Sequence, residues 1–342
     1  MFVTNERHPS TRRAKRVGAF IAAGTFVLAA CGSDEEAEPA PETTEAPAEE
    51  PAPETTEATT PETTEAPAPE TTEAPAEDSL RVVSLSPTHT EMMFAIGAGD
   101  QLVAVDTLSN YPAEAAELPN ELSAFEPSVE AIAAYEPDLV IIGGDFTGLG
   151  AQLDELDIGW WDGPPAASLD DVYAQIEQLG AATGHLDAAV ALTADMSTRV
   201  DAVLARIAEL DNEPLSFYHE LDPTFYSVTS QTFIGTVYGL LGLVNIADAI
   251  EEESYGYPQL SAEFILDADP DLIFLACTKY CGETFDTVAA RPGWDTLAAV
   301  ANGNVIELDD DIASRWGPRI VDHIEQVVDA VDTVVAGAAV AA

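Results

Sequence analysis

The stretch SVEAIAAYEPDLVII at residues 128–142 returns in altered form as SAEFILDADPDLIFL at residues 261–275. Laid over one another without gaps, the two agree at Ser128/Ser261, Glu130/Glu263, Ile132/Ile265, Pro137/Pro270, Asp138/Asp271 and Leu139/Leu272. Each copy reads as the same unit. Serine suits a helix N-cap because its side-chain oxygen accepts an N–H that the first turn leaves without a partner. A carboxylate two residues later suits the positive end of the helix dipole. Proline closes the helix, since it pushes the residue before it out of the helical region. The apolar run that follows fits a parallel strand buried on both faces. A short helix leading into a buried strand is part of a βα repeat, and two copies far apart predict two α/β lobes.

Outward from the first copy, RVVSL (81–85), LVAV (102–105) and IGWWD (158–162) read as further strands, with a helix from SPTHTEMM up to Gly97 and Gly99. Pro164 and Pro165 break the pattern. SLDDVYAQIEQLGAAT then reads as a helix capped by Ser168. Residues 186–210 predict one long helix, with Ala189, Val190, Leu192, Met196, Val200, Val203, Leu204 and Ile207 at spacings of three and four. The alternation resumes with LSFYHE (215–220), FYSV (225–228), a helix over 232–241 stopped by Gly242, the second copy, NVIEL (304–308) and a last helix from Pro318 to Val335. The fold class is α/β: two Rossmann-like lobes joined by a single long helix. The boundaries read 80–168 for the N-terminal lobe, 169–212 for the helical connector, 213–335 for the C-terminal lobe and 336–342 for an Ala-rich tail expected to fray.

The chain ahead of the lobes is of another kind. Residues 1–16 carry Arg7, Arg12, Arg13, Lys15 and Arg16, and an apolar run from Val17 to Ala30 follows, short for a membrane span. It ends in LAAC, residues 28–31, which resembles the lipobox of bacterial lipoproteins. That resemblance implies a signal peptide over 1–31, removed before Cys31, with Cys31 lipidated and the protein held on the outer face of the cytoplasmic membrane. PETTEAP or a near copy starts at Pro41, Pro53, Pro61 and Pro69. With no large apolar residue in it, the segment 32–79 has nothing to build a core from and reads as a disordered Pro/Glu/Thr-rich tether, with an upper reach of roughly 3.1 Å per residue.

The net charge is −50, with 12 Lys and Arg in the whole chain. Five of them lie in the signal; the seven that remain are Arg81, Arg199, Arg206, Lys279, Arg291, Arg315 and Arg319. Nucleic acid and anionic surfaces are excluded as partners by that balance, so contact with a membrane is expected through lipid alone. Cys277 and Cys281, in CTKYC, are the only cysteine pair in an exported domain, where disulfides persist. A metal site there wants further ligands that are not in reach along the sequence. No GxxxxGK[ST], GxSxG, HExxH or GxGxxG motif occurs, so no enzyme chemistry is marked; a surface hydrolase or lyase with an unmarked site and a tethered adhesion module stay open as other classes.

RVVSLSPTHTEMMFAIGAGDQLVAVD, NYPAEAAELP, the first copy, ELDPTFYSVTSQTFIGTVYGLLG, the second copy, RPGWDTLAAVANGNVIELD and SRWGPRIVDHIEQVVDAV together resemble, in order over residues 80–335, the cobalamin- and siderophore-type substrate-binding proteins of ABC importers. The resemblance implies a ligand cleft between the lobes, little relative lobe motion, a non-enzymatic monomer without a cofactor of its own, and delivery of a small molecule to an ABC permease. It implies that Glu130 and Glu263 meet the two permease subunits. It also implies that Tyr111, Phe146, Tyr257, Asp311, Arg315 and Trp316 face the ligand. Flat aromatic rings suit a large planar ligand. A near-neutral corrinoid asks least of a chain so poor in cations; a ferric siderophore or haem is the alternative. Where corrinoid carriers often place Trp, this chain has Phe146 or Tyr257. His89 and His219 stand on opposite lobes, and a metal site through them competes with the commoner reading of hydrogen-bonded structural histidines. Trp160 and Trp161 are expected to pack.

Overall fold

The computed structural model describes residues 79–342 apart from 211, 251–253 and 342. The signal sequence, Cys31 and the tether through residue 78 lie outside the described residues.

The first lobe runs β1 (Val82–Leu85), α1 (Pro87–Ala95), β2 (Leu102–Val105), α2 (Val129–Ala133), β3 (Leu139–Ile142), α3 (Leu149–Asp154) and β4 (Gly159–Asp162). Two helices follow, α4 (Leu169–Thr183) and α5 (Leu186–Ala208). The second lobe opens with β5 (Ser216–Glu220), α6 (Phe233–Leu240), β6 (Val244–Asn245), α7 (Ala262–Ala268) and β7 (Leu272–Leu275). It closes with α8 (Thr278–Cys281), α9 (Phe285–Ala289), α10 (Ala298–Ala301), β8 (Val305–Glu307), α11 (Asp310–Ser314) and α12 (Ile320–Ala341). Both sheets are parallel throughout. Their orders are β2-β1-β3-β4 and β6-β5-β7-β8. Each lobe therefore sets its second strand on one side of its first and its third on the other, and the repeated stretch is the helix and strand that make this reversal.

The repeated residues perform repeated tasks. Ser128 Oγ accepts from Ala131 N and Ser261 Oγ from Phe264 N. Ile132 and Ile265 are fully buried. Glu136 and Asp269, at matching positions, both take positive φ, 48° and 44°, to end their helices. Asp138 accepts from the backbone N–H of Arg81 at 2.9 Å, and Asp271 from that of Ser216 at 2.8 Å, so each aspartate ties the third strand to the start of the first. Leu139 and Leu272 enter the sheets.

The core does not stop at the lobe boundary. Val82 and Met92 of the first lobe, Ile176 of α4, Met196 and Val200 of α5, Phe217 and Phe274 of the second sheet and Val327 of α12 belong to one buried cluster. The buried stripe of α5 is Ala189, Thr193, Met196, Val200 and Val203, steps of three and four as the sequence predicts. On its outer side Arg199 pairs with Asp322 and Glu325, and Arg206 with Asp329 and Asp332, all on α12.

Two expectations change, and one strand is added. FYSV is not a strand: Phe225 takes φ 70°, which bends the chain, and Tyr226 makes a lone bridge to Gln259. Its partner segment carries positive φ at Tyr255 and Gly256 and a proline at 258, which prevents a continued ladder. The edge strand β6 is only two residues long, too short to leave a pattern. The Ala-rich segment expected to fray is helical as far as Ala341, as the high helix propensity of alanine allows.

Candidate ligand-binding site

In an open parallel sheet, ligands sit outside the carboxyl ends of the strands where the strand order reverses. In the first lobe that point lies between β1 and β3. The residues leaving those strands, Leu85 to Thr88 and Ile142 to Gly144, line a cleft of about 490 Å³. Leu108, Phe125 and Phe146 complete the wall from the first lobe, and Tyr280, Asp311, Ser314, Arg315 and Trp316 form the wall from the second. Phe146 folds back over Gly144, whose φ of +105° is a conformation that favours glycine. A second hollow of about 250 Å³ adjoins it, sharing Pro165, Ser314 and Trp316 and adding Tyr255 and Tyr257.

The six residues expected at the cleft thus divide. Phe146, Asp311, Arg315 and Trp316 line the main cleft, and Tyr257 the adjoining hollow. Tyr111 lines neither: its ring lies under the Arg319 guanidinium, 3.8 Å from the ring centroid, a cation–π contact. Asp311 is a junction rather than a free acid. It accepts from Lys279 Nζ at 2.6 Å, Asn110 Nδ2 at 2.9 Å, Arg315 Nη2 at 2.9 Å and Tyr280 Oη at 3.0 Å. Burial pushes its carboxyl up, but the bonds from Lys279 and Asn110 and the charge of Arg315 outweigh that and hold it below the ordinary range.

Arg315 is equally occupied. Nη1 donates to Glu91 at 2.8 Å and Asn110 Oδ1 at 3.0 Å, and Nη2 to the Leu108 carbonyl at 3.1 Å. Glu91 also takes two bonds from Arg319, at 2.6 and 2.9 Å. Glu91 and Asn110 belong to the first lobe and both arginines to the second, so the cleft floor is an ionic clasp between lobes. Sequence reading passed over Glu91. The signal was there: Thr88 to Glu91 are four polar residues in a row, all buried, at the start of a helix.

Trp316 is held by the same floor. Gln175 Nε2 donates to the Pro164 carbonyl, so its Oε1 is the acceptor for Trp316 Nε1 at 3.0 Å and for His89 Nε2 at 2.9 Å. His89 therefore carries its proton on Nε2, and its Nδ1 accepts from Ser86 Oγ at 2.7 Å. His89 is wholly buried, and burial lowers its pKa to about 4. His219 is buried against Tyr238, whose hydroxyl lies 2.9 Å from Nδ1, and burial lowers its pKa to about 3. Neither faces the cleft, and among the described residues no cluster of three or more His, Cys, Asp or Glu is arranged to hold a metal. Asp145 caps α3 by accepting from Leu149 and Gly150 N–H, and Glu220 is clamped by Arg291. Trp160 and Trp161 are half-buried, bonded to Asp154 and Gln178. Cys277 and Cys281 form a disulfide.

All seven Lys and Arg among the described residues have a partner. Arg81 donates to the Tyr135 and Glu136 carbonyls at the end of α2, and the other six pair with carboxylates. Glu130 and Glu263 are exposed, in the first turns of α2 and α7. A helix that leads into a strand of a parallel sheet begins at the sheet's carboxyl edge, which is the edge that carries the cleft.

Known proteins agree with this architecture. Residues 82–312 match the family described as periplasmic binding protein. The cobalamin-binding protein of Halobacterium salinarum is 30% identical over 257 residues, 73% of this chain and 69% of that one. YvrC of Bacillus subtilis, an uncharacterized ABC transporter substrate-binding lipoprotein, is 27% identical over 258 residues, 73% of this chain and 79% of that one. Among solved structures, the vitamin B12-binding protein BtuF of Vibrio cholerae superposes with a TM-score of 0.63 at 28% identity, covering 74% of this chain and 97% of that one. Such proteins carry ligands and catalyse nothing, which removes the hydrolase and lyase readings. With two lobes each built on a parallel sheet, a cleft at their strand-order reversals and a match over most of the folded chain, the protein belongs to the periplasmic binding protein family.

Proposed function

We propose that this substrate-binding protein of an ABC importer captures a corrinoid and presents it to its permease. The observation that carries the reading is the commitment of every described cation to a partner within the chain. An anionic siderophore or a haem with its carboxylates would meet a cleft whose arginines are already neutralised, in a chain of net charge −50. A near-neutral macrocycle needs no such counter-charge. It needs flat apolar area, which Phe125, Phe146 and Trp316 offer, and a few polar groups to orient it. The names of the relatives from Halobacterium salinarum and Vibrio cholerae point the same way. The test is calorimetry and thermal unfolding of the purified protein with cyanocobalamin, hemin and a ferric hydroxamate. Cyanocobalamin at a hundred times its dissociation constant should add about 2.7 kcal/mol of stability. Stabilisation by hemin or the hydroxamate alone would overturn the corrinoid reading.

The docking pair follows from the repeat. Serine, isoleucine, proline, aspartate and leucine each have a task inside both lobes. Glu130 and Glu263 are the repeated residues without a shared internal partner among the described residues: there Glu130 receives only its neighbour Ser128 Oγ, at 3.2 Å. A carboxylate exposed at the cleft edge of each lobe suits contact with one arginine of each permease half. Lipid on Cys31 and a monomeric carrier outside the cytoplasmic membrane complete the reading; a Cys31→Ser protein recovered from the medium would support the anchor.

A further inference from the structure

In the second lobe the strand order reverses between β5 and β7. The turn that leaves β7 at that point is the one closed by Cys277 and Cys281, four residues apart. It is held from below by Asp310, which is buried. The Asp310 carboxylate accepts from the backbone N–H groups of Thr278, Lys279 and Tyr280 at 2.7, 3.0 and 3.0 Å. Thr278 Oγ1 adds bonds to Asp310 and to the Leu308 carbonyl. Above this clamp the Tyr280 hydroxyl donates to Asp311 and stands 3.4 Å from Asn110 of the opposite lobe. The Tyr280 ring is 63% exposed and lines the cleft. A large ring fixed at both its backbone and its hydroxyl, with Lys279 Nζ 5.1 Å from its centroid and most of its surface still exposed, is a stacking surface with little freedom left to lose.

We propose that Tyr280 is a ligand-contacting residue and that the Cys277–Cys281 disulfide is its positioning device, so that the thiol–disulfide state of this turn sets the affinity of the cleft. The inference deepens the carrier reading above and rests on it. The chemistry is thiol–disulfide exchange: a dithiol gives two electrons and two protons to the bridge, leaves both cysteines as thiols and becomes a disulfide itself. Reduction frees the turn to lose its bonds to Asp310, and the ring then has conformations that do not face the ligand. Nothing in this requires the lobe to unfold, because the turn lies outside the sheet.

The test is a titration of the full chain with cyanocobalamin, and with hemin in parallel, by calorimetry. Tyr280→Ala should weaken binding about tenfold, and Tyr280→Phe, which keeps the ring, by less than about threefold. Cys277→Ser with Cys281→Ser, or dithiothreitol followed by alkylation of the native chain, should weaken it about fivefold with the thermal midpoint still cooperative. The decisive arm is the combination. In the Tyr280→Ala background, breaking the disulfide should cost no further affinity, whereas a merely structural bridge would cost the same in both backgrounds. If the oxidised wild-type protein binds neither probe, the corrinoid reading fails and this inference with it. If it binds and Tyr280→Ala or the reduced protein binds as tightly, or the two losses simply add, the inference alone is overturned.

Discussion

Glu91 and Arg315 meet at 2.8 Å across the boundary between the lobes, with side chains only 2% and 9% exposed. Arg319 joins them on the same carboxylate. Removing one partner of such a pair leaves an uncompensated buried charge, which costs far more than the pair contributes. Glu91→Gln should therefore lower unfolding stability by roughly 3–5 kcal/mol, read by urea denaturation. Arg319→Met in the Glu91→Gln background should restore part of the loss, since it removes one of the stranded charges. A Glu91→Gln protein with unchanged stability would mean the arginines are solvated in solution.

Trp316 sits where the main cleft and its side hollow join, with its indole N–H fixed by Gln175. Trp316→Ala should weaken cyanocobalamin binding by about 1–3 kcal/mol while the fold stays intact. Gln175→Leu should weaken it less, because the ring stays and only its tether goes. Equal affinity for Trp316→Ala and wild type by calorimetry would make the indole a packing element.

His89, His219 and His323 are buried, and burial lowers their pKa values to about 4, 3 and 4 from an ordinary 6.5. Between those values the unfolded chain binds protons that the folded chain refuses. Stability is thus unaffected by these groups above pH 6.5 and falls as pH drops from 6.5 toward 4, by up to roughly 3 kcal/mol for each histidine. Among the described residues His323 has no hydrogen-bond partner on either ring nitrogen, and it packs edge-on to Tyr238. His323→Phe should leave stability at pH 7 close to wild type and make its decline between pH 6.5 and 4 shallower. An identical decline in urea midpoints would show that another group governs it.

Glu130→Ala and Glu263→Ala should leave ligand affinity and stability within about 0.5 kcal/mol, as for exposed surface sites, yet lower uptake in cells that carry the matching permease. The double variant should transport worse than either single one, and Glu→Arg worse than Glu→Ala. Normal uptake by the double Ala variant would reduce the repeated glutamate to a helix-start preference.

Much of this fold was legible because its grammar is local. Ser128, Ser168 and Ser261 cap the helices their positions predict, and the β3 and β7 runs are apolar without interruption because both faces are covered. FYSV misled because its aromatic and β-branched residues suit a strand, but Phe225 bends the chain at φ 70° and the facing segment turns away at Tyr255 and Gly256. The site was legible by position along the strands, and far less so by partner. Arg315 reads as a cleft cation until Glu91, more than two hundred residues away, takes its charge. Tyr280 carries no local mark of a cleft residue, because what places it there is Asp310 and Asp311, 30 and 31 residues further on.

Arg199 and Arg206 stand seven residues apart on α5, and the acid pairs that receive them on α12, Asp322 with Asp329 and Glu325 with Asp332, share that interval. Two rods pinned at two rungs resist sliding and pivoting together, and the shared core beneath them fills the joint. A connector braced in this way turns with the second lobe as one piece. On the docking proposed above, handover then becomes mechanical work done from outside, by a permease that holds both lobes.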